Sequence, residues 1–437
     1  MYLAAGRSGP SPAPARPSPV TAPEPGTEPG TGRRARVTST VVALGAVSLV
    51  TDISSEMVTA VLPLYLVLGL GLNPLQFGFL DGLYNGVTAF VRLAGGHAAD
   101  RWQRHRLVAG SGYALSAVCK LGLLLAGSST PALSTALAAD RVGKGVRTAP
   151  RDALISLSCD ERDLGRAFGV HRAMDTTGAL LGPLAAFALL WLTADAYDAV
   201  FVVSFCFGLF GVLLLYAFVP GRESTPAPKG EATKASKAEA PTLASAFRLL
   251  ALPAFRRVLV TAGLLGLVSV GDGFLYLVLQ KRLDLDTAYF PLLPLGSAAV
   301  YLLLAVPLGR AADRIGRRIP YLLGHLALLG AYLALFSPAT GWTLTLTVVL
   351  LLGTFYAATD GVLMALGGPA IPKEQRASGM ALLQSGQAVG RLLASVLFGA
   401  VWTMWSMHTA LALASAALAA ALFAARVLLP ARLPEPR

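Results

Sequence analysis

The 437-residue chain is 54% hydrophobic and 14% charged, with a formal net charge of +12. Soluble domains are about 25% charged, so a water-soluble enzyme of this composition is excluded and lipid must cover much of the surface. The basic excess is scattered through short loops between apolar runs, which points to an anionic membrane leaflet and away from nucleic acid.

Residues 1–36 are rich in Pro, Gly, Ser, Thr and Ala and include Arg33, Arg34 and Arg36. They read as a disordered cytoplasmic tail, because so little apolar area cannot offset ordering entropy. They show no cleaved signal peptide pattern. A spanning helix needs about 20 residues, and the apolar runs place twelve spans at 38–70, 76–98, 106–127, 131–154, 165–193, 197–219, 256–280, 289–309, 319–337, 342–366, 377–403 and 409–429. The fourth is unusually charged. Residues 221–248 form a polar, low-complexity linker, dividing the chain into bundles at 37–220 and 249–430 with a short tail at 431–437. Cys119, Cys159 and Cys206 suit neither a disulfide nor a metal framework.

With residue 1 inside, the inner loops hold Arg101, Arg104, Arg106, Arg162, Arg166, Arg310, Arg314, Arg317, Arg318, Lys373 and Arg376, and the outer loops only Lys281 and Arg282. The bias places both termini on the cytoplasmic side of the cell membrane. The halves also echo each other. Asp100 in GGHAADRWQRHR and Asp313 in LGRAADRIGRR lie 213 residues apart, and Arg166-Ala-Phe-Gly169 and Arg376-Ala-Ser-Gly379 lie 210 apart. Paired six-helix halves point to a secondary transporter with its site between them.

At these loops the sequence resembles the major facilitator superfamily, whose signature between helices 2 and 3 is Gly-x-x-x-Asp-Arg-x-Gly-Arg-Arg/Lys. The first copy, Gly96 to Arg104 with Asp100 and Arg101, has Gln103 where Gly is usual; the second, Gly309 to Arg318 with Asp313, Arg314 and Arg317, is complete. Arg141-x-x-Lys144-Gly145 resembles the helix-4 motif of proton antiporters, with Lys where Gln is common. Gly178-x-x-x-Gly182-Pro183 resembles the helix-5 antiporter motif without its last glycine pair. The run Arg141 to Asp152 also resembles a bacterial branch of the superfamily that supplies no substrate. The resemblance implies an all-α polytopic membrane protein of twelve transmembrane helices in two pseudo-symmetric bundles, acting as a monomer. The loop motifs would form a cytoplasmic gate, Asp100 pairing with Arg147 or Arg151 and Asp313 acting likewise in the second half.

A charge at mid-membrane costs roughly 2.5–3.5 kcal/mol on insertion scales. Asp140, Arg141, Lys144, Arg147, Arg151 and Asp152 therefore face a cavity, water or one another. Asp140, Lys144, Arg147 and Arg151 share a stripe about 60° wide; it either lines the transport path or latches the bundle. In the first span Asp52, Ser55, Glu56 and Thr59 share a face, and the two carboxylates, one turn apart, repel when both are ionised. One could carry a proton, or both could be permanently paired. His171, Asp175, Gly178 and Gly182 share a stripe of the fifth span, where His171 is a proton relay or a packing residue and the glycines permit close helix contact. Pro183 is a site for a kink. In the second half, Asp272 is placed about 24 Å along its helix. Asp360, Gln384, Gln387 and Arg391 join the intramembrane polar set. Asp81, Arg92 and Lys120 read as residues near helix ends or snorkelling to the surface.

No phosphate loop, His-Glu-x-x-His helix or Gly-x-Ser-x-Gly elbow occurs in the chain. The expectation is a non-enzyme without cofactor or metal. It would export a small organic molecule against protons through Asp52, Glu56, Arg141, Lys144, His171, Asp175, Asp272, Asp360, Gln384 and Arg391. Proton symport of a small anionic metabolite, suited to Arg141, Lys144 and Arg391, and a sensor or scaffold without flux are the alternatives.

Overall fold

A computed structural model of the chain describes residues 38–84, 86–87, 91, 105–159, 163–194, 196–220, 249–372 and 376–429. The tails, the linker at 221–248, Arg92 and the first gate loop lie outside them. The elements are α1 (Ser39–Leu64, continued by a π turn over Tyr65–Gly69), α2 (described as helix over 74–84, 86–87 and 91), α3 (His105–Leu125), α4 (Thr130–Leu157), α5 (Leu164–Leu192) and α6 (Tyr197–Phe218). There follow α7a (Pro253–Val268), α7b (Asp272–Leu283), α8 (Leu292–Ile315), α9 (Arg318–Ala334), α10 (Gly341–Gly367), α11 (Arg376–Met404) and α12 (Met407–Leu428). No strand occurs among the described residues.

With α7a and α7b taken together as one span of 31 residues, nine of the twelve described helical segments are long and apolar enough to cross a membrane. The other three miss for local reasons: α2 is described in part, α4 is too charged, and α9 has only 17 residues. At 1.5 Å per residue, α9 spans about 26 Å, slightly less than a hydrocarbon core of about 30 Å.

The expected duplication appears in the packing. In the first half α1 packs on α5 and α6, and α3 on α4 and α6. In the second half α7a packs on α11 and α12, and α9 on α10 and α12. The partner rule repeats six helices later, giving two pseudo-symmetric bundles.

The bundles meet toward the end of the molecule that carries Leu72 and Met404. There α2 lies so close to α11 that a side chain on Gly82 would stand 3.0 Å from the Leu392 carbonyl oxygen. Nearby, the Leu75 amide donates to Thr403 Oγ1 at 3.0 Å. Phe77 meets Phe274 edge to face at 4.7 Å between centroids. Phe187 of α5 meets Tyr289 at 5.7 Å.

One expectation is corrected here. The single span expected at 256–280 is two helices, broken over Ser269, Val270 and Gly271. Tyr332 of α9 stitches the break: its hydroxyl accepts the Val270 amide at 2.8 Å and donates to the Val268 carbonyl at 3.3 Å. Broken helices survive at membrane depth only where protein satisfies the freed backbone groups. Asp272 is thus the first residue of α7b, where its carboxylate accepts the Gly273 amide at 3.1 Å. Pro183 interrupts nothing, since α5 runs through it as one helix of 29 residues.

Candidate functional site

α4 is a poor membrane helix by composition, and its neighbours compensate for it. Asp140 sits between Lys120 of α3, at 3.8 Å, and Arg141, whose Nε donates to it at 3.1 Å. Ser116 also donates to Asp140, and the Lys120 ammonium donates to the Ser116 carbonyl at 2.9 Å. The Arg141 guanidinium lies 3.8 Å from the Tyr84 ring centroid, a cation–π contact with α2. Asp140, Arg141 and Lys120 are all buried. This corrects the reading of Lys120 as a snorkelling residue: a carboxylate and a carbonyl inside the bundle give it shorter partners than the surface would.

One turn further along, Lys144 pairs with Glu56 of α1 at 3.5 Å, and both side chains are partly accessible, at 31% and 28%. Arg147 donates to Asp52 of α1 at 3.2 Å and lies 4.6 Å from the Tyr113 centroid. Arg151 reaches Asp152 at 3.0 Å, Asp175 of α5 at 3.6 Å and Ser48 Oγ at 3.5 Å. Ser48 Oγ and His171 Nε2 are 2.9 Å apart. Arg172 adds a second cation on Asp175 at 3.6 Å. Asp52 from α1 and Asp175 from α5 thus each hold an α4 arginine.

These helices can approach because α5 carries glycines where α1 crosses it. A side chain on Gly182 would stand 3.0 Å from the Ile53 carbonyl oxygen, and one on Gly178 would collide with the Leu49 backbone. The geometry also alters two expectations. Asp52 and Glu56 do not face each other as a repelling pair: each turns to its own α4 cation. Arg147 and Arg151, expected at the gate, have their described partners on α1, α3, α4 and α5; Asp100 lies outside the described residues, as do Gly96, Arg101 and Arg104.

The second half has a sparser set. Asp272 at the α7 break has the Tyr356 hydroxyl beside it and the Arg391 guanidinium within electrostatic range. Arg391 makes no ion pair within 4 Å among the described residues. Gln387 is half-buried one turn away, while Asp360 and Gln384 are exposed. Gln384 donates to Met364 Sδ at 3.6 Å. Between the halves, Ser395 Oγ of α11 donates to Asp81 of α2 at 2.6 Å. Asp81 is thus a junction residue, which corrects its reading as a helix-end charge.

In the second gate loop Asp313 is 72% exposed and meets Arg317 of its own loop at 4.0 Å. Gly309 and Arg314 belong to the last two turns of α8. Arg317 instead donates to the Ala365 carbonyl near the end of α10 at 2.6 Å. No α10 cation meets Asp313, because α10 contains no Lys or Arg. The carbonyl-rich C-terminal end of that helix attracts a cation from the loop.

Sequence reasoning overlooked Tyr84, Tyr356, Tyr332 and Ser395. No spacing rule marks an aromatic as the platform for a distant cation. The Gly271-Asp272-Gly273 triplet inside an apolar run was the one available sign of the α7 break.

The Major Facilitator Superfamily family model matches residues 44–300 and 292–437. An uncharacterized MFS-type transporter of Methanocaldococcus jannaschii is 26% identical over 370 residues, covering 83% of this chain and 88% of the relative. Among solved structures, a mutant form of the nucleoside transporter NupG superposes with a TM-score of 0.76 at 14% identity, covering 89% of this chain and 100% of that one. An inward-facing, unoccupied bacterial homolog of the human lysosomal transporter Spinster gives 0.65 at 17% identity, covering 91% and 95%.

Proposed function

The chain belongs to the Major Facilitator Superfamily, and from that premise we propose that this membrane transporter is a proton-coupled antiporter exporting a small polar organic molecule by alternating access. The observation that carries the reading is a pair of intramembrane carboxylates on different helices, Asp52 of α1 and Asp175 of α5, each holding an α4 arginine, Arg147 at 3.2 Å and Arg151 at 3.6 Å. A proton on either carboxylate would cancel the charge that holds its arginine. Loading that proton weakens the hold on Arg147 or Arg151 and loosens α4 from its neighbours. Losing it restores the latch. Glu56 and Lys144, both partly accessible, form the entry to this relay, and His171 joins it through Ser48.

Substrate binds across the junction. Asp272, Tyr356, Gln387 and Arg391 offer a carboxylate, a hydroxyl, an amide and a guanidinium on α7, α10 and α11. The α7 and α11 helices meet α1 and α2 at Gly273–Pro63 and Asp81–Ser395. The loop arginines set both termini in the cytoplasm. With the halves joined at the Leu72 end, this is then an inward-facing state, as in the Spinster homolog.

One observation favours a second reading. Arg391 forms no ion pair within 4 Å among the described residues, which suits an anion site and proton symport of an anionic metabolite. Proteoliposomes with an imposed pH gradient decide between the two. Antiport moves substrate against the direction of proton flow, and symport moves it with that flow. Flux that ignores the pH gradient defeats both.

A further inference from the structure

Away from the junction, α9 and α12 leave a groove of about 640 Å³ on the outer face of the second bundle. Water in the liquid takes about 30 Å³ per molecule, so the groove exceeds the room a small inorganic ion needs. Its mouth is formed by Gly316, Arg318 and Arg426. Beneath the mouth it is lined by Ile319, Leu322, Leu323, Leu326, Leu422 and Phe423.

The two ends of the groove differ in chemistry. Arg318 begins α9 and Arg426 lies in the last turn of α12, so the cations share one level. Arg318 is fixed across the mouth by donating to the Arg426 carbonyl. Its remaining N–H groups stay available, since a guanidinium carries five donors. The Arg426 side chain is exposed and has no hydrogen bond or ion pair among the described residues. Arg310, Arg314 and Arg317 crowd the same end against one carboxylate, Asp313. From the first turn below the arginines the wall is wholly apolar, and Leu323, Leu326 and Phe423 are 54%, 52% and 74% exposed.

A cationic mouth above an apolar trough matches a molecule with an anionic head and a hydrocarbon tail. We propose that this groove binds an anionic phospholipid, with its phosphate between Arg318 and Arg426 and an acyl chain along Leu322, Leu326 and Phe423. A free phosphate would leave the trough empty. A zwitterionic lipid would bring a cation to an end already rich in arginine. The inference needs the membrane fold and is independent of which molecule is transported.

The test is native mass spectrometry of the full purified chain with added phosphatidylglycerol or phosphatidylcholine of matched acyl chains. Each basic residue near a charged surface contributes enough that a two-arginine site should prefer phosphatidylglycerol on the order of tenfold. The double variant R318Q/R426Q should lose that preference, while R257Q, at an exposed arginine elsewhere, should keep it. L326W, which fills the trough and keeps both arginines, should also lose the bound lipid and serves if the double variant does not fold. Four results would overturn the proposal: equal binding of the two lipids, preference surviving in R318Q/R426Q or L326W, displacement by inorganic phosphate, or stronger lipid binding after removal of residues 430–437. The last would show that the chain's own tail occupies the groove.

Discussion

The two bundles share one packing plan and divide the charge unequally. In the first, Lys120, Arg141, Lys144, Arg147 and Arg151 each hold a carboxylate within 4 Å, spread over α1, α3, α4 and α5. In the second, α10 has no basic residue in the place where α4 has four, and Arg391 stands without an ion pair among the described residues. A duplicated scaffold constrains helix neighbours and leaves side-chain chemistry free. On the reading above, the first bundle stores protons and latches, and the second keeps an unsatisfied cation for a ligand.

The sharpest way to break the comparison is to unbalance the first bundle. Asp140→Asn strands Lys120 and Arg141 as buried charges, and loss of one partner of a buried pair costs about 3–5 kcal/mol. Thermal unfolding of purified protein should show a large loss, with little change for Asp272→Asn in the second bundle. Equal losses would mean the division does not exist.

Asp52→Asn and Asp175→Asn address the relay. Each should lower pH-driven transport by about tenfold or more, which corresponds to only about 1.4 kcal/mol. Substrate exchange without a gradient should persist. If gradient-driven flux and exchange fall together, the pair has a structural role only.

Arg391→Gln tests the second bundle. A hydrogen bond to a charged group is worth about 1.5–3 kcal/mol, so substrate affinity should fall about ten- to a hundredfold with the melting temperature unchanged. Arg391→Lys should recover part of it. Isothermal titration reads this directly once a substrate is found, and unchanged affinity would move the site elsewhere.

The smallest effect is expected at the junction. Ser395→Ala removes the bond to Asp81, a change of about 0.5–1.5 kcal/mol for a typical hydrogen bond. It should shift the population modestly away from the state joined at the Leu72 end. Distance measurements between spin labels on α2 and α11 would show it, and an unaltered distribution would mean the bond is incidental.

Much of the fold was legible in the chain. The apolar runs placed twelve helices to within a few residues at most ends, because hydropathy over about 20 residues is a local sum that needs no knowledge of neighbours. The α4 charge stripe announced a protein environment around it for the same reason: the cost of an exposed mid-membrane charge follows from its residue type. Gly178 and Gly182 were readable as close-packing residues from their spacing.

The partners of those charges were not legible. Asp52 could have faced Glu56 along its own helix or a cation from another; the crossing of α1 and α4 chose Arg147. Lys120 joined Asp140 because α3 lies against α4, and the α7 break depended on Tyr332 arriving from a helix 62 residues away. The sequence by itself determined which segments enter the membrane and which of their side chains cannot face lipid, since transfer energies belong to residues. Only the tertiary structure decided who pairs with whom, because Coulomb and hydrogen-bond energies depend on separations of a few ångströms between atoms that the chain brings together from far apart.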